Sequence, residues 1–260
     1  MNKLPLILGM VFFSATVLAE SRGYDLELGP SLSYVDYNEY NEYNDVSQSG
    51  TVSGFTARYS AYYPFSVSLL DVSYVNSDID YKGEGKISSV RNEIYDVRGM
   101  IGRAFFLNGA YRVTPYLGLG YRRSTMDSRG KTSSTSVAGY KSQQSYVYNP
   151  IGIEIQELMS DQSTWAVGGR FEYDGILSAR NETRLGAADG YRSVTLSQRN
   201  GRGYHISLRF QHFLNENGSG IVIEPFYKYW SVSGNNSRSV SSRVGNHSSN
   251  QWGASLLLSF

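Results

Sequence analysis

In YHISLRFQHF, residues 204–213, Tyr204, Ile206, Leu208 and Phe210 alternate with His205, Ser207, Arg209 and Gln211. An apolar face opposed at every second residue by an ionisable one is the period of a β-strand, and no helix can present it. The pattern recurs along the chain. Tyr24, Leu26 and Leu28 oppose Asp25 and Glu27; Ala57 and Tyr59 oppose Arg58 and Ser60; Leu70 and Val72 oppose Asp71 and Ser73; Tyr95 and Val97 oppose Asp96 and Arg98. Further on, Leu117, Leu119 and Tyr121 oppose Arg122; Ile153 and Ile155 oppose Glu154; Phe171 and Tyr173 oppose Arg170, Glu172 and Asp174; Ile223 and Tyr227 oppose Glu224 and Lys228. Trp252, Ala254, Leu256, Leu258 and Phe260 close the series. Ten strands are predicted, and the same periodicity is compatible with eight or twelve. Ionised faces on every strand do not suit a dry core. They suit an all-β, closed antiparallel transmembrane β-barrel, with lipid against the apolar faces and a polar lumen.

The N-terminus agrees with export. Lys3 precedes an apolar stretch from Leu4 to Leu18, and Val17-Leu18-Ala19 fits cleavage after Ala19, so residues 1–19 are expected to be a signal peptide and 20–260 the barrel. The chain has no cysteine, which removes disulfides and thiolate chemistry. Its formal net charge of +1 gives no argument for a nucleic-acid partner. Beyond the leader no apolar run approaches the ~18 residues of a membrane helix.

The connections alternate in kind. AYYPFS, FLNGAYRVTP, ELMSDQST and LNENGSG carry turn residues and are short, whereas 38–51, 77–92, 125–143, 176–202 and 232–249 are long and polar, and are expected to be loops. Short turns on one side and long loops on the other are the asymmetry of outer-membrane barrels, which predicts periplasmic termini and extracellular loops. Aromatic residues gather near both sets of connections, among them Tyr62, Phe105, Tyr116 and Trp165 on one side and Tyr37, Tyr74, Tyr81, Tyr146, Trp230 and Trp252 on the other. They are expected to form two interfacial girdles.

Gln251, Gly253, Leu256 and Leu258, with the terminal Phe260, resemble the C-terminal assembly signal of bacterial outer-membrane proteins, which implies recognition by the barrel assembly machinery of a Gram-negative cell. The phrase YRVTPYLGLGYR is similar to strands of the small OmpA/OmpX-like and opacity-type surface proteins, without assigning a single family.

Acids and bases on the inward faces nearly balance. In a narrow barrel they are expected to pair and fill the lumen, which favours a structural or binding protein over a channel. A narrow path for small solutes or ions is the first alternative. A lipid A-modifying hydrolase is the second, carried by His205 and Ser207, whose spacing is similar to that of the outer-membrane lipid A deacylases. That family continues with Asn after the serine, where this chain has Leu208, and its pair faces lipid. Asp78 and Asp80 echo the acid pairs of the ten-stranded omptin proteases, but no Asp-x-His occurs. No catalytic, metal or cofactor site is therefore expected. In the long segments Arg180, Arg184, Arg192, Arg199, Arg202, Arg238 and Arg243 are candidates to hold anions, foremost lipopolysaccharide phosphates or an extracellular ligand.

Overall fold

The structure, a computed structural model, describes residues 23–40, 45–83, 85–158, 164–184, 194–198, 200–215, 219–234 and 245–260. The expected leader, 1–19, lies outside the described residues. Ten long strands close into a ring: β1 (Gly23–Tyr40), β2 (Asp45–Tyr62), β3 (Val67–Gly83), β4 (Gly85–Gly102), β6 (Tyr111–Asp127), β7 (Lys141–Glu157), β8 (Trp165–Arg184), β10 (Gly201–Phe213), β11 (Gly220–Val232) and β12 (Asn246–Ser259). Each pairs antiparallel with its neighbours. β12 returns to β1, where Phe260 N–H donates to Leu26 O at 3.0 Å and Leu26 N–H donates back to Phe260 O at 3.2 Å. Closure leaves no open edge to satisfy in lipid.

Two short strands lie off the ring. β5 (Phe105–Leu107) folds back on β6 through Asn108-Gly109, both at positive φ (50° and 67°), the backbone that an Asn-Gly hairpin turn adopts. β9 (Val194–Gln198) pairs with the end of β8. A bulge at Leu177 shifts the β7–β8 register between Val147 and Tyr148, and inward-facing positions on β8 pass from Ile176 to Ala179.

The barrel has two unlike ends. At the short-turn end β2 meets β3 through a tight turn closed by Tyr63 N–H to Ser66 O at 2.8 Å. At the other, tall end the strands run far beyond the roughly 9–11 residues that cross a bilayer. Much of what the sequence marks as long loops is strand: β3 and β4 continue to Gly83 and Gly85, and β1 and β2 to Tyr40 and Asp45. The cause is visible in the side chains. Around the lower wall Leu32, Phe55, Ile101, Leu119, Leu208 and Leu256 project outward, Leu119 with 63% of its surface exposed, while ionised groups face in. In the tall section the polarity inverts. Thr51, Asp78, Asp80 and Arg91 project outward, and Val35, Val52, Val75, Ile79 and Ile94 pack inside as one cluster. Water rather than hydrocarbon is the outer solvent there, so the hydrophobic effect drives apolar groups inward and keeps polar strands paired.

The same parity corrects the expected girdles. Tyr81, Tyr116, Tyr146 and Trp230 are buried inside the barrel. Tyr116 and Tyr146 each sit one residue from an outward apolar side chain, Leu117 and Val147, and so must face the lumen; Tyr81 alternates with the outward Asp80. Tyr148 lies against Gly120 and Tyr116 against Gly152, directly across the β6–β7 pair. A Cβ at Gly120 would stand 2.2 Å from Tyr148 Cζ, and one at Gly152 2.5 Å from Tyr116 Cζ. These inward glycines are the sockets for the two rings.

Candidate functional site

Strand register brings opposite charges together before any tertiary contact is considered. Glu27, Arg58, Asp71 and Arg98 stand side by side across β1, β2, β3 and β4, alternating in sign. Glu154 faces Arg170 across β7 and β8, and Asp96 faces Arg122 across β4 and β6. Long side chains then extend these ladders across the lumen. Arg58 donates through both terminal nitrogens to Glu224 on β11 at 2.9 Å, and also to Glu27 at 3.1 Å and Asp71 at 3.3 Å. Asp71 in turn accepts from Arg98 at 2.8 Å and from Arg170 at 2.6 Å. Arg170 grips Glu154 at 2.7 Å, Arg98 reaches Glu172, and Arg209 reaches Glu27. All of these arginines are buried, and the forked guanidinium suits such bridging because it offers donors in a plane to several carboxylates at once.

His205 belongs to this network. Arg98 donates to its Nδ1 at 3.1 Å, which places the ring proton on Nε2, and Glu172 is 3.9 Å from Nδ1. Phe226 meets the imidazole edge-on at 6.4 Å. His205 and Ser207 both face the lumen, sunk in the wall, each with about 4% of its surface exposed. Asp78 and Asp80 face the other way, on the outside of β3, where Asp80 accepts from Ser89 N–H at 3.2 Å. Among the described residues no group of three or more His, Cys, Asp or Glu is placed to hold a metal ion.

The candidate arginines separate. Arg192, Arg199, Arg238 and Arg243 lie outside the described residues. Arg180, Arg184 and Arg202 are not on loops, as expected from the sequence, but exposed on strands, because β8 runs to Arg184 and β10 begins at Gly201. Arg184 donates to Glu182 at 2.7 Å. Arg180 stands in one register line with Ser145 and, beyond it, Arg123 on β6. Directly below that line Tyr121 and Val147 face outward, and Tyr121 O–H reaches Ser145 Oγ at 3.4 Å. Tyr121, Ser145, Arg180 and Glu182 line an open groove of about 680 Å³ on the outer wall. Arg123, which reaches Gln143 at 2.6 Å, was not selected from the sequence; its odd-numbered parity with Tyr121 was the available signal.

Of the assembly-signal residues, Leu256, Leu258 and Phe260 project outward, while Gln251 is buried and donates to Ser33 Oγ at 3.0 Å. Gly253 lies so close to β1 that a Cβ would stand 2.2 Å from Leu32 O.

Inside the tall end is a small open-mouthed cavity lined by Val35, Gln48, Asn92, Ile94, Met126 and Gln144. Its wall carries a directed chain of hydrogen bonds across three strands. Tyr37 O–H donates to Glu39 at 2.9 Å, and Gln144 donates to Tyr37 O at 2.6 Å. Tyr146 O–H donates to Gln144 at 2.8 Å, and its oxygen lies 2.8 Å from His247 Nε2, which must supply the proton. Burial holds the Glu39 carboxyl above its ordinary range and the His247 imidazole down at about 4. Arg122 lies at the base, donating to Asp96 at 3.3 Å with its guanidinium 5.2 Å from the Trp230 ring.

No family profile and no curated protein matches the sequence. Solved structures do. The outer membrane protease OmpT from Escherichia coli aligns over 94% of this chain and 99% of its own with a TM-score of 0.60 at 10% identity. The translocator domain of the autotransporter NalP from Neisseria meningitidis gives 0.45 at 8% identity, over 92% of this chain and 88% of its own. OprG from Pseudomonas aeruginosa gives 0.38 at 10%, over 92% and 97%. At these identities the likeness is one of fold. The chain has the closed, ten-stranded antiparallel fold found in outer-membrane β-barrel proteins.

Proposed function

We propose that this barrel is a non-conducting, non-enzymatic surface protein, with both strand termini in the periplasm and the tall end standing outside the cell. It acts through that end and through the wall just below it. The observation that carries this reading is Asp71, which receives guanidiniums from β2, β4 and β8 and so ties opposite walls together through the lumen. Breaking one partner out of such a buried group leaves an uncompensated charge, so the crossing is not a loose gate. His205 serves the same network rather than hydrolysis, since Arg98 occupies its Nδ1, and no hydrogen bond joins it to Ser207 among the described residues.

Arg123 and Arg180 hold phosphates of lipopolysaccharide on the outer wall. They sit immediately above the lipid-facing Tyr121 and Val147, at the height where headgroup phosphates begin. Gln251, Gly253, Leu256, Leu258 and Phe260 serve in delivery to the barrel assembly machinery, and residues 1–19 in export.

Planar-bilayer recording of the folded full chain tests the closed lumen. Silence is expected, and discrete, reproducible conductance steps would overturn it. Mass spectrometry of lipid A from cells with and without the protein tests the absence of lipid A chemistry. An altered acyl pattern that depends on His205 would restore the hydrolase reading.

A further inference from the structure

We infer that the outer wall grips the phosphorylated disaccharide of lipid A at two points, with Arg123 and Arg180 on one phosphate and Arg202 of β10 on the other. The inference deepens the reading above and rests on it for lipopolysaccharide at Arg123 and Arg180.

Arg202 is the guanidinium which that reading leaves unused. It projects outward and exposed, without a hydrogen bond or ion pair among the described residues. Its register partners are Gly175 on β8 and Ser231 on β11, both too short to cover it. One outward position below, Tyr204 meets Tyr173 edge-on with ring centres 5.5 Å apart and stacks with Tyr229 at 6.3 Å. Arg123 stands in the same relation to Tyr121. Outward tyrosines mark the headgroup boundary, so both guanidiniums sit where lipid phosphates lie. Arg180 also has no partner among the described residues, and Glu182, the acid beside it, is engaged by Arg184 at 2.7 Å.

The surface between the two points is cleared for a ligand. From β6 to β10 there are three strand spacings, roughly 14 Å in all. One phosphate cannot bridge that distance, whereas a disaccharide with a phosphate on each ring has the required length. The wall it would cross carries Ser145 on β7 and Gly175 and Ser178 on β8, all small. Ser178 lies on the outer side because the bulge at Leu177 turns two successive residues of β8 outward. About 350 Å³ of the groove over Ser145 and Ser178 is open to a ligand, within the range of small-molecule sites. The forked guanidiniums at its ends match the geometry of phosphate oxygens.

The wall below favours a lipid over a soluble polyanion. Val147 and Leu177 face outward there, with 40% and 56% of their surfaces exposed, and give acyl chains descending from the sugar an apolar support. A glycerophospholipid with a single phosphate reaches only one of the two points.

The test uses the full chain folded in a zwitterionic detergent. It is incubated with bisphosphorylated lipid A, monophosphorylated lipid A, phosphatidylglycerol or heparin, and native mass spectrometry counts the ligand retained. A single bisphosphorylated lipid A is expected per barrel, retained about tenfold better than the monophosphorylated form, the gain typical of one further charge-assisted contact. Arg202→Ala should abolish that preference and leave retention of the monophosphorylated form unchanged. Arg123→Ala with Arg180→Ala should weaken both forms. Arg202 has no internal partner among the described residues, so its variant keeps the fold, checked by mobility on gels without heating. If Arg202→Ala weakens both lipids alike, or neither, the two-point grip is overturned while the Arg123–Arg180 reading stands. Retention unaffected by the Arg123–Arg180 double variant overturns both. Phosphatidylglycerol retained as well as bisphosphorylated lipid A, or displacement of lipid A by heparin, also overturns the inference, since one lacks the second phosphate and the other lacks acyl chains.

Discussion

Arg170 on β8 and Asp71 on β3 meet at 2.6 Å although three strands, β4, β6 and β7, separate them around the ring. Their contact is made through the lumen and not along the wall. It converts a sheet that would otherwise be held only by neighbouring strands into a braced cylinder. Asp71→Asn removes the shared acceptor charge from Arg58, Arg98 and Arg170 while nearly preserving volume. It is expected to lower stability by about 3–5 kcal/mol, as breaking buried ion pairs does. The urea midpoint of the detergent-folded protein reads this directly, and an unchanged midpoint would show that the brace contributes nothing.

If the same guanidiniums keep the lumen shut, shortening them together should open it. The triple variant Arg58→Ser, Arg98→Ser, Arg170→Ser is expected to produce conductance steps in bilayers where the parent is silent. A silent, correctly folded triple variant would mean that other side chains close the barrel.

On the outer wall, Arg123→Ala with Arg180→Ala is expected to reduce co-purifying lipopolysaccharide about tenfold, since each removes charge-assisted hydrogen bonds. Arg184→Ala, whose guanidinium is engaged by Glu182, should change little. Equal losses from Arg184 and from the Arg123–Arg180 pair would point to diffuse charge rather than a site.

Acid should loosen the mouth of the cavity through His247. Its folded pKa of about 4 lies below the ordinary 6.5, so the unfolded chain binds the proton more readily. The stabilising neutral form is fully present above pH 6.5 and is lost as pH falls towards 4, a change on the order of 3 kcal/mol. Glu39 works in the opposite sense: its raised pKa favours folding at low pH and is lost as pH rises through the folded value. His247→Gln should flatten the stability–pH profile between pH 4 and 6.5, while Glu39→Gln, which removes a contribution of opposite slope, should steepen it. A profile unchanged by His247→Gln would remove the histidine from the account.

Gly120→Val should displace the Tyr148 ring from its socket and break the 2.5 Å hydrogen bond to Asp96. A cost of about 1–3 kcal/mol follows from forcing atoms into a packed site. Gly109→Ala differs: nothing lies within 4 Å of its added Cβ, so only the positive φ is strained, at about 1 kcal/mol. Unfolding midpoints that failed to rank Gly120→Val as the worse change would contradict the socket.

The ten strands and the ionised inner faces were legible in the sequence because period 2 assigns faces without any knowledge of neighbours. Arg58 and Glu27 could be placed inside from their own strands. That Arg58 also reaches Glu224, from β2 to β11, depends on shear and closure, which no local pattern records. The tall strands were hidden for another reason. Their outer side chains, such as Asp78 and Asp80, resemble loop residues, and their apolar partners Val75 and Ile79 face a side that is polar lower down. A rule assuming one outer solvent reads this inversion as the end of the strand. Tyr146 and Trp230 were misplaced because composition near a loop was weighed above parity.

The inversion leaves a waterline written on the protein itself. On β1 the changeover falls between the outward Leu32 and the inward Val35, on β3 between Val72 and Val75, and on β4 between Val97 and Ile94. Outward tyrosines mark the same level, with Tyr34, Tyr74 and Tyr95 at the crossing. Sinking the cylinder would bring Asp78 towards hydrocarbon, and raising it would strand Val72 in water. The draught of the molecule is therefore fixed from strand to strand, and whatever reaches the cavity does so from a rim held at constant height above the lipid.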